Sequence, residues 1–375
     1  MSSHTKSANT QGLWGWLAKS LTTHSSFTAY FEPVIQWFKP VWRADRVHTQ
    51  VMDVRQESSD MYSLVLKPKS SFYTFEAGQY VELTIMQNGA WVSRFFTLSS
   101  SPEYFAKTGL IELSIAVQEK GKVTPWIPHN LKYGDYVNLN KPLGDFCPLQ
   151  SHKKRLLFIS GGSGITPFRA TLQQLKEQPE AHFENIHLFY YARSANHFLF
   201  KQELEAIADT QPNVHVTFID SQEKGFFDWH HIIEATPDIT SQIDSTDFYV
   251  CGPAPMIQHV RKQLKQNHVP AQQIYFEFFG PEPIEVSDST ETHQVLFEKS
   301  GIQAPAMQSP SLLELAEQTQ LKPVSGCRIG VCHQCICKKQ SGRVLNRKTG
   351  KISDSGQEEI QLCISTAVDD VVLSL

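Results

Sequence analysis

Cys327, Cys332 and Cys335 form a C-x4-C-x2-C run, and Cys363 follows after 27 further residues. That is the spacing of a plant-type [2Fe–2S] centre, in which four soft thiolates hold two irons and two sulfides. Such a cluster carries one electron at a time and performs no bond chemistry alone. Zinc is the chemical alternative for four thiolates, but the long interval before Cys363 in a β-rich layout favours iron–sulfur. Cys337, two residues beyond Cys335, reads as a core cysteine rather than a ligand.

A second chemistry lies in the middle of the chain. Ile159-Ser160-Gly161-Gly162-Ser163-Gly164-Ile165-Thr166-Pro167 follows an apolar strand and opens a helix. Glycines let a main chain approach a diphosphate, and unpaired N–H groups at a helix start attract anionic oxygens. Pro167 suits the first helical turn, where a missing N–H costs nothing. The stretch is not G-x-G-x-x-G, and a tight turn without a ligand remains open. Cys251-Gly252-Pro253 ends a second apolar strand, where a parallel sheet binds ligands; Cys251 reads as a nicotinamide neighbour or as a small buried residue. A third strand end, Tyr191-Ala192-Arg193-Ser194, offers an arginine and no carboxylate, which favours NADPH over NADH unless Arg193 is simply solvated.

These groups need elements to position them. The chain has 375 residues, 41% hydrophobic and 19% charged, which implies two or three soluble domains. A formal charge of -4 argues against nucleic acid as a partner. Seven cysteines, four assigned to iron, suggest a reducing compartment. No apolar run approaches a membrane span and the first residues do not read as a signal peptide, so the expected location is cytoplasmic. Short β segments at 47–53, 61–67, 79–86, 92–99, 110–117 and 135–140 predict a closed antiparallel barrel. From 155 the order turns α/β: strands 155–160, 185–191, 214–219 and 247–251, with helices near 166, 199–208 and 254–266. Residues 281–292 read as a linker. Strand 293–299, helix 310–318 and a last strand at 369–374 frame the cysteine loop. Near the front, Phe27, Phe31, Val34, Phe38 and Val41 share one helical face, broken at Pro33 and Pro40. That stripe either packs on the protein's own body or meets a membrane surface or partner enzyme, the latter favoured by Lys19, Lys39, Arg43 and Arg46.

From about residue 46 onward the chain resembles the ferredoxin–NADP+ reductase superfamily, in particular fused reductases with a C-terminal plant-type ferredoxin domain. Arg94-Phe95-Phe96-Thr97 is similar to the family's Arg-x-Tyr-Ser/Thr element, with Phe96 in place of tyrosine. The resemblance implies that Arg94 binds a flavin phosphate and that Thr97 lies against the flavin ring. Gly121-Lys122-Val123-Thr124 resembles the Gly-x-x-Ser turn at the FAD diphosphate, favouring FAD over FMN. Gly161 to Pro167 and Cys251-Gly252-Pro253 are similar to the nicotinamide elements, and Glu277-Phe278-Phe279-Gly280-Pro281 to a closing segment. Glu277 and Phe279 would then bound the flavin–nicotinamide site, with Phe279 as ordinary core the alternative. Arg328 and Gly330 match the cluster loop, whereas His333 departs from the small residue usual there.

The resemblance implies a multidomain protein: an extension over 1–45, an antiparallel β-barrel flavin domain over 46–150, and an α/β nicotinamide-nucleotide domain over 151–281. A linker over 282–292 and a C-terminal α+β β-grasp ferredoxin domain over 293–375 complete it. It implies Thr97, Cys251, Glu277 and Phe279 as catalytic residues, and cofactor contacts that add Arg94, Phe95, Phe96, Gly121, Lys122, Val123, Thr124, Gly161, Gly162, Gly164, Thr166, Pro167, Arg193, Ser194, Gly252 and Pro253. NADPH, FAD and a [2Fe–2S] cluster would pass electrons to a membrane fatty-acyl desaturase, with residues 13–42 touching the inner face of the cytoplasmic membrane. A soluble or Rieske-type oxygenase served by the same reductase is the alternative.

Overall fold

A computed structural model describes residues 46–69, 72–119, 121–177, 182–279, 292–306, 311–326, 328, 330, 334–347 and 351–375. The aromatic stripe within 13–42, the linker residues 282–291, and Gly280, Pro281, Cys327, Cys332 and His333 lie outside them.

Six strands come first: β1 (Val47–Ser58), β2 (Met61–Pro68), β3 (Tyr80–Gln87), β4 (Ala90–Thr97), β5 (Ile111–Ala116) and β6 (Tyr136–Leu139). All pairings are antiparallel, in the order β4-β3-β6-β1-β2-β5. Just past β4, the Ser99 N–H donates to the Glu112 carbonyl on β5 at 2.9 Å, which draws the two sheet edges together. This is the expected barrel; closing it hides strand edges that would otherwise pair with other chains. Its interior is aliphatic, including Val51, Leu64, Leu83, Leu113 and Leu139. Helix α1 (Pro102–Thr108) follows β4; the Ser101 hydroxyl accepts from the Tyr104 N–H and Gly109 closes the far end at φ +67°.

Five parallel strands build the next sheet: β7 (Arg155–Gly161), β8 (Asn185–Ala192), β9 (Val214–Asp220), β10 (Thr246–Gly252) and β11 (Ile274–Phe278), in the order β11-β10-β7-β8-β9. Helices α2 (Ile165–Glu177) and α3 (Lys201–Thr210) cover one face; α4 (Trp229–Ala235) and α5 (Ala254–Gln266) cover the other. Strand β7 shows why both faces are apolar. Leu156 and Phe158 pack with α2, whereas Leu157 and Ile159 pack with α5. The chain leaves β7 towards β8 on one side and returns as β10 on the other, so the crevice between β7 and β10 is a topological switch point.

The last module contains β12 (His293–Phe297), β13 (Ile302–Ala306), α6 (Leu312–Gln318), β14 (Ile336–Ser341), β15 (Val344–Asn346), β16 (Glu358–Gln361), β17 (Ser365–Ala367) and β18 (Val371–Leu373). Its main sheet runs β13-β12-β18-β14-β16, parallel only between β12 and β18. Ser311 starts α6 through a reciprocal capping box with Glu314, and Leu312, Leu313 and Leu315 bury against Phe297, Val371 and Leu373. A helix packed on a mixed sheet is the α+β form expected.

One buried ionic node joins the barrel to the nucleotide module. Arg169 on α2 donates to Glu112 Oε2 on β5 at 2.7 Å, to the Ser99 carbonyl at 3.3 Å and to Glu203 Oε2 on α3 at 2.9 Å. Its guanidinium also stacks on the Phe200 ring at 4.1 Å.

Candidate functional site

The barrel rim, the nucleotide sheet and the C-terminal module enclose a cavity of about 380 Å³. Arg94, Phe95, Phe96 and Thr97 line it at the end of β4, Gly121, Lys122, Val123 and Thr124 from the following turn, and Thr166, Glu277 and Phe279 from the nucleotide sheet. The turn is held by its own bonds: Gly121 N–H donates to the Gln118 carbonyl at 2.6 Å, and Gln118 N–H to Thr124 Oγ1 at 2.9 Å. Tyr62, inside the barrel, donates to the Thr124 carbonyl at 3.0 Å.

Two polar atoms in this cavity have no partner among the described residues. Thr97 Oγ1 and Glu277 Oε2 are both buried and unbonded. Buried polar groups left empty-handed are uncommon, and a heteroaromatic ring with nitrogens and carbonyls would satisfy both. Burial pushes the Glu277 carboxyl up to about 8, so it is mainly protonated at neutral pH and can donate as well as accept. Arg94 makes a bond only to the Ser93 carbonyl, at 2.7 Å, and no ion pair with a described residue. The donor set therefore fits a flavin.

The second cavity, about 740 Å³, opens at the switch point. Gly161, Gly162, Arg193 and Pro253 line it, together with Tyr191, His197, Phe226, Phe227, Met256 and His259. Ala116 and Ser163 line both cavities, which are thus adjacent. Gly162 takes φ +54°, and its carbonyl accepts from the Tyr190 hydroxyl at 3.2 Å. Gly164 lies beneath: a Cβ there would meet the Cys251 carbonyl and come within 2.7 Å of the Gly252 nitrogen. Cys251 is fully buried and lines neither cavity; burial, then Glu277, pushes its thiol well above the usual value. In register it stands between Ser160 on β7 and Glu277 on β11, and Ser160 Oγ is a third buried atom without a partner. Ser194 is drawn away to His197, at 2.7 Å, and Pro167 packs within α2.

Of the four spaced cysteines, Cys335 and Cys363 lie among the described residues, and both are buried. Cys335 stands just before β14 and Cys363 in the short turn after its partner strand β16, with Leu362 N–H donating to the Cys335 carbonyl at 3.0 Å. Gly330 takes φ +77°, and its carbonyl accepts from Gln361 Nε2 at 3.0 Å, which ties Gly330 to Cys363's segment. Cys337 is buried on β14, as expected of a core residue. Phe279 is 48% exposed at the cavity mouth, not core.

Sequence reading missed Tyr80, Ser114, Gln118, Gly326 and Arg328 in the first cavity. Tyr80 carried a usable signal, because it stands opposite Thr97 in the hairpin register. Arg328 lies more than two hundred residues from the barrel, and no local pattern places it there.

Two family models match the chain: "Oxidoreductase FAD-binding domain" over residues 48–147 and "Oxidoreductase NAD-binding domain" over 158–262. A Mycobacterium tuberculosis protein described as an NADPH oxidoreductase is 26% identical, covering 90% of this chain and 86% of that one. The glycine betaine monooxygenase reductase subunit of Chromohalobacter salexigens is 24% identical, covering 90% and 98% respectively. Among solved structures, phthalate dioxygenase reductase superposes with a TM-score of 0.58 at 22% identity, covering 88% of this chain and 98% of that one. Together with the two cavities, these matches define an NAD(P)H-dependent, flavin-containing oxidoreductase of the ferredoxin-reductase type. The chain carries an oxidoreductase FAD-binding domain followed by an oxidoreductase NAD-binding domain.

Proposed function

We propose that this protein draws electrons from NADPH and delivers them singly to an oxygenase component, with FAD and a [2Fe–2S] cluster as its bound groups. The observation that carries the reading is the shared lining: the nucleotide cavity abuts the flavin cavity, which Gly326 and Arg328 of the cysteine-bearing module also line. Bound flavin supplies the exchange between a two-electron hydride and single electrons, and the cluster accepts one electron at a time.

The protein's own part is placement. Arg94 and the Gly121–Thr124 turn hold phosphate, while Thr97 and the protonated Glu277 bond the ring edge. The glycine turn at Gly161, Gly162 and Gly164, with Thr166 and Pro167 behind it, would seat the dinucleotide, and the neutral Cys251 would lie beneath it, buried in the end of β10. Gly252 and Pro253 complete that floor, and Ser194 supports His197 at the rim. Cys327, Cys332, Cys335 and Cys363 would hold the cluster. Arg193 supports NADPH: it is exposed on the nucleotide cavity's rim. The carboxylate at the end of β9, Asp220, is occupied instead by the Ala195 and Gln222 N–H groups at 3.0 and 2.9 Å.

The acceptor follows the relatives, several of which are described as reductase components of a monooxygenase or dioxygenase. A membrane fatty-acyl desaturase keeps its support only from the aromatic stripe of residues 13–42; among the described residues no helix is long and apolar enough to cross a membrane. One anaerobic experiment tests both levels. NADPH titrated into purified protein should bleach flavin and cluster absorbance in turn, at lower concentration than NADH, with iron and labile sulfide present. Adding an oxygenase component should reoxidise the protein faster than adding desaturase membranes does. Protein without iron or sulfide would refute the cluster, and faster turnover with the membranes would reverse the acceptor assignment.

A further inference from the structure

Arg328 belongs to the C-terminal module yet lines the flavin cavity beside barrel residues. One side of its guanidinium is fixed by Glu317 on α6, through an Nη1–Oε2 bond of 2.9 Å and a second bond from Nη2 to Oε1. Arg94 lines the same cavity without an acidic partner among the described residues, and burial together with Arg328's charge weakens its hold on its proton. Two guanidiniums face one cavity, and among the described residues Glu317 is the only carboxylate bonded to either of them. Like charges so placed repel unless an anion lies between them. Lys122, exposed on the same lining, is a further cation. Arg328 also holds φ +60°, a conformation that glycine adopts freely and arginine does not.

We propose that Arg328 is a second ligand, alongside Arg94, for the flavin's phosphate, so that loading the flavin also seats the C-terminal module against the barrel. The proposal rests on the reading that Arg94 marks the phosphate end of this cavity. A forked guanidinium can hold a carboxylate on one edge and a phosphate oxygen on another, which a lysine's point charge does less well. Through Arg328, α6 and its sheet become part of the flavin site. By linkage, the flavin then stabilises the contact between modules.

The test uses the full chain stripped of flavin and titrated with FAD and with riboflavin, which has no phosphate, following fluorescence quenching. Arg94→Gln and Arg328→Gln should each weaken FAD about tenfold or more and leave riboflavin within about twofold. Arg328→Lys should recover part of the loss, and Glu317→Gln, which retains both guanidiniums, should keep FAD within about threefold. Unchanged FAD affinity in Arg328→Gln, with a loss in Arg94→Gln, would overturn the role of Arg328 and leave Arg94's intact. No loss in either would overturn the phosphate reading itself. Equal losses of FAD and riboflavin in Arg328→Gln, or a Glu317→Gln loss as large, would mean that loop shape rather than charge is responsible, and would also overturn the proposal.

Discussion

At the scale of single residues, Glu277 carries the clearest physical signature. Burial raises its carboxyl from 4.5 to about 8. Between those values the flavin-free folded chain holds a proton that the unfolded chain has lost. Stability that is present below the lower value therefore falls as pH rises through the window, and the loss is complete above the upper one. Glu277→Gln removes the titration. Thermal midpoints of flavin-free wild type should decline relative to Glu277→Gln from pH 5 to pH 8; parallel curves would disprove the buried proton. Residues in short local patterns, such as Arg94, Thr97, Gly162 and Glu277, were legible in sequence because their chemistry depends on immediate neighbours. Ser160 was not. Its interest comes from standing next to Cys251 across two strands, and strand pairing is a long-range fact.

Among elements, the tightest constraint is the contact of the Gly162–Gly164 turn with the end of β10. A methyl at Gly164 would collide with backbone atoms of Cys251 and Gly252, which cannot rotate aside. Gly164→Ala should cost about 1–3 kcal/mol in unfolding free energy. It should also raise the NADPH dissociation constant, because the turn must shift away from the switch point; calorimetry on the purified variant measures both. Strand existence was legible from alternation and apolar runs, and α5 was placed to the residue. Boundaries were less so: β4 was expected at 92–99 and lies at Ala90–Thr97. The reason is Asn88-Gly89, where both residues take positive φ, +51° and +78°, in the manner of a two-residue hairpin turn. That turn ends β3 at Gln87 and starts β4 at Ala90. Strand β11 was missed because it is a five-residue edge strand, and its sequence was read only for its glutamate and aromatics.

For the whole molecule, order along the chain was legible and juxtaposition was not. Three textures in sequence foretold three modules, but nothing local announced that Arg169, Glu112 and Glu203 would meet. Their node fixes the barrel against the nucleotide sheet, with Gln173 adding bonds to the Ser101 N–H at 2.9 Å and to Glu203. Arg169→Met leaves the buried Glu112 carboxylate with Arg55, at 3.3 Å, as its remaining cation, while the partly exposed Glu203 keeps Gln173. Removing one partner of such a pair costs about 3–5 kcal/mol. Urea unfolding should register a loss of that order, and Arg169→Lys should restore part of it; a loss under about 1 kcal/mol would assign the domain angle to apolar packing instead.

The lining shared at Ala116 and Ser163 has a kinetic consequence. Where two chambers share lining residues, an occupant of one covers that side of the other. Pyridine dinucleotide in the second cavity should therefore slow the escape of flavin from the first, which flavin release measured with and without nucleotide in the buffer would read.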